Sequence, residues 1–263
     1  MIGLKLVYYL YISKDCMNSI QYKYHFACLE YYAKVFDEYN IVLATDDLSD
    51  EDTINKVEKK FLDIGFTKNI SFRVIQNDYD LREVSAFKSE IIDKLDTEDK
   101  LVMFGHGKGI THPWNEHLKE WVLAMYYFNL FDIDLLKKCM VVDMSIFHGF
   151  FVCCNNIPNR YEWYFPGTFY WINPMQLVQE IREMPNINIG NRSYAELFPG
   201  NIVDINANNS WVPRVTFPGK YVLLGNPDLY KGFTESKKII YSEEQLNGFN
   251  NFVKYIDNKV NEA

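Results

Sequence analysis

The chain has 263 residues, 48% hydrophobic and 24% charged, with a net charge of −8, so it can bury a core without disulfides or a structural metal. The acidic balance, with an isoelectric point near 5.2, argues against broad capture of nucleic-acid phosphate and against a polybasic membrane anchor. Aromatic residues are abundant at 16%, with 19 Tyr, 19 Phe and 5 Trp; they serve either as core filling or as platforms for sugars and bases.

The run from Leu4 to Ile12 is too short to span a bilayer and carries neither the basic start nor the cleavage site of a signal peptide. It is predicted as a buried first strand. Apolar residues at helical spacing predict a helix over His25–Phe36, and Asn40–Thr45 follows as a strand ending at Asp46-Asp47. A helix is predicted over Glu51–Ile64, with acids first and lysines later. A strand over Ile70–Gln76 ends at Asn77-Asp78-Tyr79-Asp80. A helix over Glu83–Leu95 and a strand over Leu101–Phe104 lead to Gly105–Gly109. This alternation predicts an α/β fold with a mostly parallel sheet flanked by helices.

Beyond a helix over Glu116–Phe131 the pattern breaks up. Strand-like pieces (Val141–Phe147, Phe150–Cys154, Thr168–Trp171, Tyr221–Leu224), a short helix over Met175–Arg182 and a last helix over Glu243–Val260 alternate with loops. The expectation is one domain over 1–263. Residues 1–115 form a nucleotide-binding half, and 116–263 a more irregular layer on the acceptor side. The five cysteines lack framework spacing, which predicts reduced thiols and a cytoplasmic location.

In open α/β sheets, ligands bind beyond the C-terminal ends of the strands. Three polar clusters fall there: Asp46-Asp47, the 77–80 segment and Gly105–Gly109. Asp78 and Asp80 suit a hard divalent ion such as Mg²⁺ or Mn²⁺, or else a solvated turn. His106 and Lys108 would project to one side of an extended chain, roughly 7 Å apart, and could cradle phosphate without a metal. The P-loop spacing is absent. His106, His112 and His117 lack the spacing of a zinc site, and His25 and His148 read as structural. The segment 160–174 (RYEWYFPGTFYWINP) reads as a sugar platform or as a core strand with a Pro-Gly turn. Glu196 reads as a general base, or else as a cap or a solvated acid, with Asp143 as the fallback base.

The ordered set HGKG (106–109), Trp121 with Met125, PGTFYWINP (166–174) and RSYAEL (192–197) resembles a group of glycosyltransferase-like proteins. These occur in bacterial surface-polysaccharide clusters and in some viruses, with signatures H-x-K-G, W-R-x-x-M, G-N-F-W-W and R-x-x-A-E-x-W. NDYD (77–80) is similar to their N-x-G-x-D segment. Here Val122 stands where their arginine follows the tryptophan, Thr168 and Tyr170 depart from G-N-F-W-W, and Phe198 stands where R-x-x-A-E-x-W has its tryptophan.

The resemblance implies a GT-A-type, Rossmann-like fold and transfer from a nucleotide-diphosphate sugar to a glycan or other hydroxyl acceptor, in polysaccharide biosynthesis. The donor would be held by Tyr11, Asp46, Asp47, Asn77, Asp80, His106, Lys108 and Gly109. The acceptor would lie against Tyr164, Gly167, Phe169, Trp171 and Arg192. Mn²⁺ or Mg²⁺, where used, would sit at Asp78 and Asp80. Two rival readings are a metal-assisted phosphohydrolase or nucleotidyltransferase, and a nucleotide- or carbohydrate-binding protein without turnover.

Overall fold

The computed structural model describes residues 2–47, 50–66, 69–150, 153–157, 160–165, 167–181, 194–202, 215–216 and 241–262, with backbone alone at 153–157, 160–163 and 215–216. The strands in chain order are β1 (Leu4–Ile12), β2 (Glu38–Thr45), β3 (Ile70–Gln76), β4 (Leu101–His106), β5 (Phe147–Gly149), β6 (Cys153–Ile157), β7 (Arg160–Tyr164), β8 (Tyr170–Ile172) and β9 (Val215–Thr216). Seven of them form one sheet in the order β3-β2-β1-β4-β8-β5-β9, while β6 and β7 pair separately. All neighbours in the large sheet run parallel except β8, which is antiparallel to both β4 and β5. The expected α/β class with a mostly parallel sheet is therefore found. The sheet does not stop at residue 115: β8, β5 and β9 continue what β1 to β4 begin.

β1 sits between β2 and β4, and every residue in it but Tyr11 is buried. Its side chains alternate between two cores, as the strand period requires. Leu4, Leu6, Tyr8, Leu10 and Ile12 pack with α1 (Ile20–Tyr31), α2 (Glu51–Asp63), α4 (Glu116–Leu130) and α8 (Glu243–Glu262). Val7 and Tyr9 pack with α3 (Glu83–Glu90), α6 (Pro174–Ile181) and α7 (Tyr194–Ile202). The result is three layers, helix on sheet on helix. Lys5 is the polar exception in this strand, and it is paired at 2.8 Å with Glu38 and 2.7 Å with Glu98.

Several boundaries differ from expectation. α1 begins at Ile20, five residues before the expected start. Tyr22, Tyr24, His25, Phe26, Ala27, Cys28 and Leu29 are all buried, so the helix presents no single apolar stripe to mark its ends. α3 ends at Glu90 and a 3₁₀ segment over Ile92–Thr97 replaces its expected last turns. The expected strand from Val141 is instead α5 (Ile133–Lys137) opening into a wide turn over Lys138–Val142. There the Asp143 N–H reaches back to the Lys138 carbonyl at 3.0 Å. The β-branched valines suggested a strand, but Val141 and Val142 are exposed.

α7 covers a stretch expected as loop, and Pro199 and Gly200 lie within it. Proline lacks the N–H that would bond to the Ala195 carbonyl four residues earlier. The Tyr170 hydroxyl donates to that carbonyl at 2.7 Å instead, so the helix runs through the proline with its orphan acceptor satisfied. No helix among the described residues is long and apolar enough to cross a membrane. The expected strand at Tyr221–Leu224 lies outside the described residues.

Candidate functional site

The chain steps outward from β1 through β2 to β3, then returns to place β4 on the other side of β1. That reversal opens a crevice at the C-terminal ends of β1 and β4, the usual ligand position in such sheets. A cleft of about 440 Å³ lies there. Register aligns Tyr9 of β1 with His106 of β4, and both line the cleft together with Tyr11, Asn77, Lys108 and Glu196.

The loop after β4 is not extended as expected. The Lys108 N–H donates to the His106 carbonyl at 2.7 Å, and further short-range bonds join Ile110 to Gly107 and His112 to Gly109. Gly109 takes φ +80°, and a Cβ there would come within 2.7 Å of Leu118; only glycine fits both conditions.

α1 ties this loop down from behind. The His25 Nε2–H donates to the Lys108 carbonyl at 2.9 Å, and Gln21 Nε2 donates to the His112 carbonyl at 3.0 Å. A carbonyl only accepts, so the proton of neutral His25 sits on Nε2 and its Nδ1 is an acceptor. The Tyr8 and Tyr126 hydroxyls lie 3.0 and 2.8 Å from Nδ1 and 2.9 Å from each other. One tyrosine donates to Nδ1 and the other to its neighbour's oxygen. Burial holds the His25 proton affinity down to about 4, so this network is neutral.

Glu196, at the start of α7, joins three distant segments. Its Oε1 accepts from Lys108 Nζ at 3.1 Å and from the Gly167 N–H at 2.8 Å. Gly167 lies at φ +91°, and a Cβ there would meet Met125 Sδ at 2.7 Å and Trp121 Nε1 at 3.3 Å. Trp121 and Met125, one turn apart on α4, thus form the floor that sets the height of this turn.

His106, the last residue of β4, is buried. Burial, with the Lys108 charge next, lowers its proton affinity to about 3. Its Nδ1 lies 3.9 Å from Glu83 Oε1. No full hydrogen bond forms at Nε2 among the described residues, although the Gly167 backbone is close enough to favour the protonated ring. His106 is therefore a neutral imidazole at physiological pH.

Asp46, itself outside the cleft lining, accepts from two residues that do line it, from the Tyr11 hydroxyl and from Asn77 Nδ2 at 2.9 Å. Tyr9 donates to Asn77 Oδ1 at 3.2 Å. The Tyr11 bond is the main reason that the Asp46 carboxyl stays below its usual range. These bonds tie Tyr9, Tyr11 and Asn77 of the lining together.

Other expected residues fall elsewhere. Phe169 and Trp171 are fully buried. Trp171 stacks on Phe36 and donates Nε1–H to the Asn129 carbonyl at 2.9 Å, and Phe169 packs edge-on to Tyr126. β8 lies between two other strands, so these rings are core and offer no face to a sugar. Tyr164 is half-buried against the same core. Asp143 closes the wide turn before β5 and does not line the cleft, and neither does Asp47. Arg192 lies outside the described residues.

Asp78 Oδ1 accepts the N–H groups of Asp80 at 2.8 Å and Leu81 at 2.9 Å, and both acids lie outside the cleft lining. That is the turn-forming role of aspartate. Among the described residues no three His, Cys, Asp or Glu side chains gather as a ligand set. A divalent ion at Asp78 and Asp80 would therefore draw on no third His, Cys, Asp or Glu side chain among the described residues.

The structure also brings in Tyr9, Arg82, Ile110 and Thr111, which the sequence did not mark, beside Tyr79 of the 77–80 segment, Glu83 and His112. A signal was present for the loop anchors. Gln21 and His25 are polar and four apart, which sets them on one face of α1. The cleft thus offers two cations, two carboxylates, a neutral imidazole and a tyrosine-lined mouth, a set suited to an anionic ligand with a polar body. No protein-family model matches this chain, and no curated protein matches it.

Proposed function

We propose that the chain is a glycosyltransferase that moves a sugar from a nucleotide-diphosphate sugar to a hydroxyl acceptor. The reading rests on one observation: Lys108, Gly167 and Glu196, from three separate motif segments, meet at a single carboxylate beside the cleft. Motif residues that only shared a sequence order would have no reason to converge. The position of the cleft at the strand reversal further supports a nucleotide-type ligand.

In this reading the nucleoside lies along Tyr11, Asp46 and Asn77, and the diphosphate lies over the loop at Lys108. Lys108 stabilises negative charge on the leaving diphosphate as the glycosidic bond breaks. His106, being neutral, can donate or accept a hydrogen bond without adding charge. Glu196 takes the proton from the acceptor hydroxyl. No step passes through a metal. The acceptor enters beside Glu196, and Phe169 and Trp171 only support the turn behind it.

The test is a thermal-shift screen with UDP, GDP, CDP and their sugars, followed by measurement of nucleoside diphosphate release. One nucleotide family should raise the melting temperature, and Lys108→Ala should remove that rise and the release while the apo protein stays folded. The absence of any shift across the whole set would rule the reading out.

A further inference from the structure

Arg82 stands at the entry to α3, beside Glu83 in the cleft lining. It precedes α3 at φ 47°, ψ −125°, a region that residues with a Cβ avoid and that persists where surroundings force it, often at ligand sites. It is half-buried and lines the cleft. Its guanidinium makes no hydrogen bond or ion pair among the described residues, whereas Arg73 pairs with Glu90 at 3.0 Å. Its charge is among the smaller effects at both Tyr9 and His106, which line the same cleft.

The charges around it are arranged in a particular way. The cleft lining holds two cations, Arg82 and Lys108, and two carboxylates, Glu83 and Glu196. Glu196 occupies Lys108, and Glu83 faces His106. The strained backbone thus holds a planar cation, five donors in a fork, with nothing to bind. Such a fork matches phosphate oxygens in pairs.

We propose that Arg82 and Lys108 together seat a diphosphate-class anion, and that filling this seat draws Lys108 away from Glu196. The two negative groups compete for one ammonium. Glu196 keeps its bond from the Gly167 N–H but loses its counter-ion, so its carboxylate is released to accept from the incoming hydroxyl only once the anion is in place. The inference rests on the transferase reading for its consequence, base activation timed to donor binding. The seat itself requires only adjacent phosphates.

The test uses the full chain and inorganic pyrophosphate as probe, with orthophosphate as control, titrated by calorimetry. Wild type should bind pyrophosphate more tightly than orthophosphate. Arg82→Gly should weaken pyrophosphate by roughly tenfold or more, the loss of a charge-assisted bidentate contact. Glycine suits this backbone, so the variant stays folded and its lost affinity is not a folding defect. Arg82→Lys should recover only part of the affinity. Glu196→Gln should bind pyrophosphate several-fold more tightly, because the competitor for Lys108 is gone.

Unchanged binding in Arg82→Gly, or weaker binding in Glu196→Gln, overturns the proposal, as does a wild type blind to pyrophosphate. Release of nucleoside diphosphate, measured on the same samples, separates the two readings. A seat that behaves as described in a protein with no turnover sinks the transferase and leaves the anion site standing. Full turnover in Arg82→Gly does the reverse.

Discussion

Glu196 and Gly167 are one hydrogen bond apart, and each can be altered alone. Glu196→Gln keeps an oxygen for the Gly167 N–H and removes the proton acceptor. Transfer should fall by roughly 10²–10⁴-fold, the usual contribution of a general base. Stability should change little, because the Lys108 ion pair is partly exposed and worth about 1 kcal/mol at most. A kcat near wild type would remove Glu196 from the reaction. Gly167→Ala is the structural counterpart. It forces a side chain into φ +91° against Met125 and should cost roughly 1–3 kcal/mol in urea denaturation.

The sequence made part of this site readable. His106, Lys108 and Glu196 stood out as polar residues in motif order. Arg82 did not, because its meaning lies in a backbone angle that its residue type conceals; a glycine there would have signalled the turn. Phe169 and Trp171 misled for the converse reason. A dense aromatic run looks the same in a platform and in a core strand, and only the strand's place between β4 and β5 decides.

Elements raise the same issue one level up. β1 and β3 were readable to the residue: β1 is a buried apolar run, and β3 is a part-exposed edge strand of β-branched and aromatic residues that ends at turn residues. α7 was not, because Pro199 is a local breaker whose cost is met by a hydroxyl 29 residues earlier in the chain. This compensation can be measured. Tyr170→Phe strands the Ala195 carbonyl in the core and should cost about 1–3 kcal/mol. Pro199→Ala restores the helical N–H and should relieve most of that loss in the double variant. In a double-mutant cycle the two substitutions should therefore couple by more than about 0.5 kcal/mol. Additive effects would mean that the hydroxyl is not standing in for the missing donor.

At the scale of the whole molecule, buried histidines link stability to pH. His25, His106 and His148 are buried, and burial lowers their proton affinities to about 4, 3 and 4. In the unfolded chain the same rings take up a proton near their ordinary value of 6.5. Between those limits the unfolded state binds more protons than the folded one, so acid favours unfolding. The stabilisation is fully present above about pH 6.5 and is lost as the pH falls towards 4. Each ring should cost about 2 kcal/mol at pH 5 relative to pH 7.

Carboxylates do not blur this window. Burial alone would raise Glu38 and Glu90, but their lysine and arginine partners bring both below the usual 4.5. Their contribution is therefore lost only as the pH drops below about that value. Urea midpoints at pH 7, 6 and 5 should fall steadily. His25→Gln keeps a donor for the Lys108 carbonyl and should flatten the slope by about one proton of the three. A midpoint that is flat or rising towards pH 5 would mean that these rings are charged in the folded protein. His106 would then be a cation in the cleft, and the anion seat would have three members instead of two.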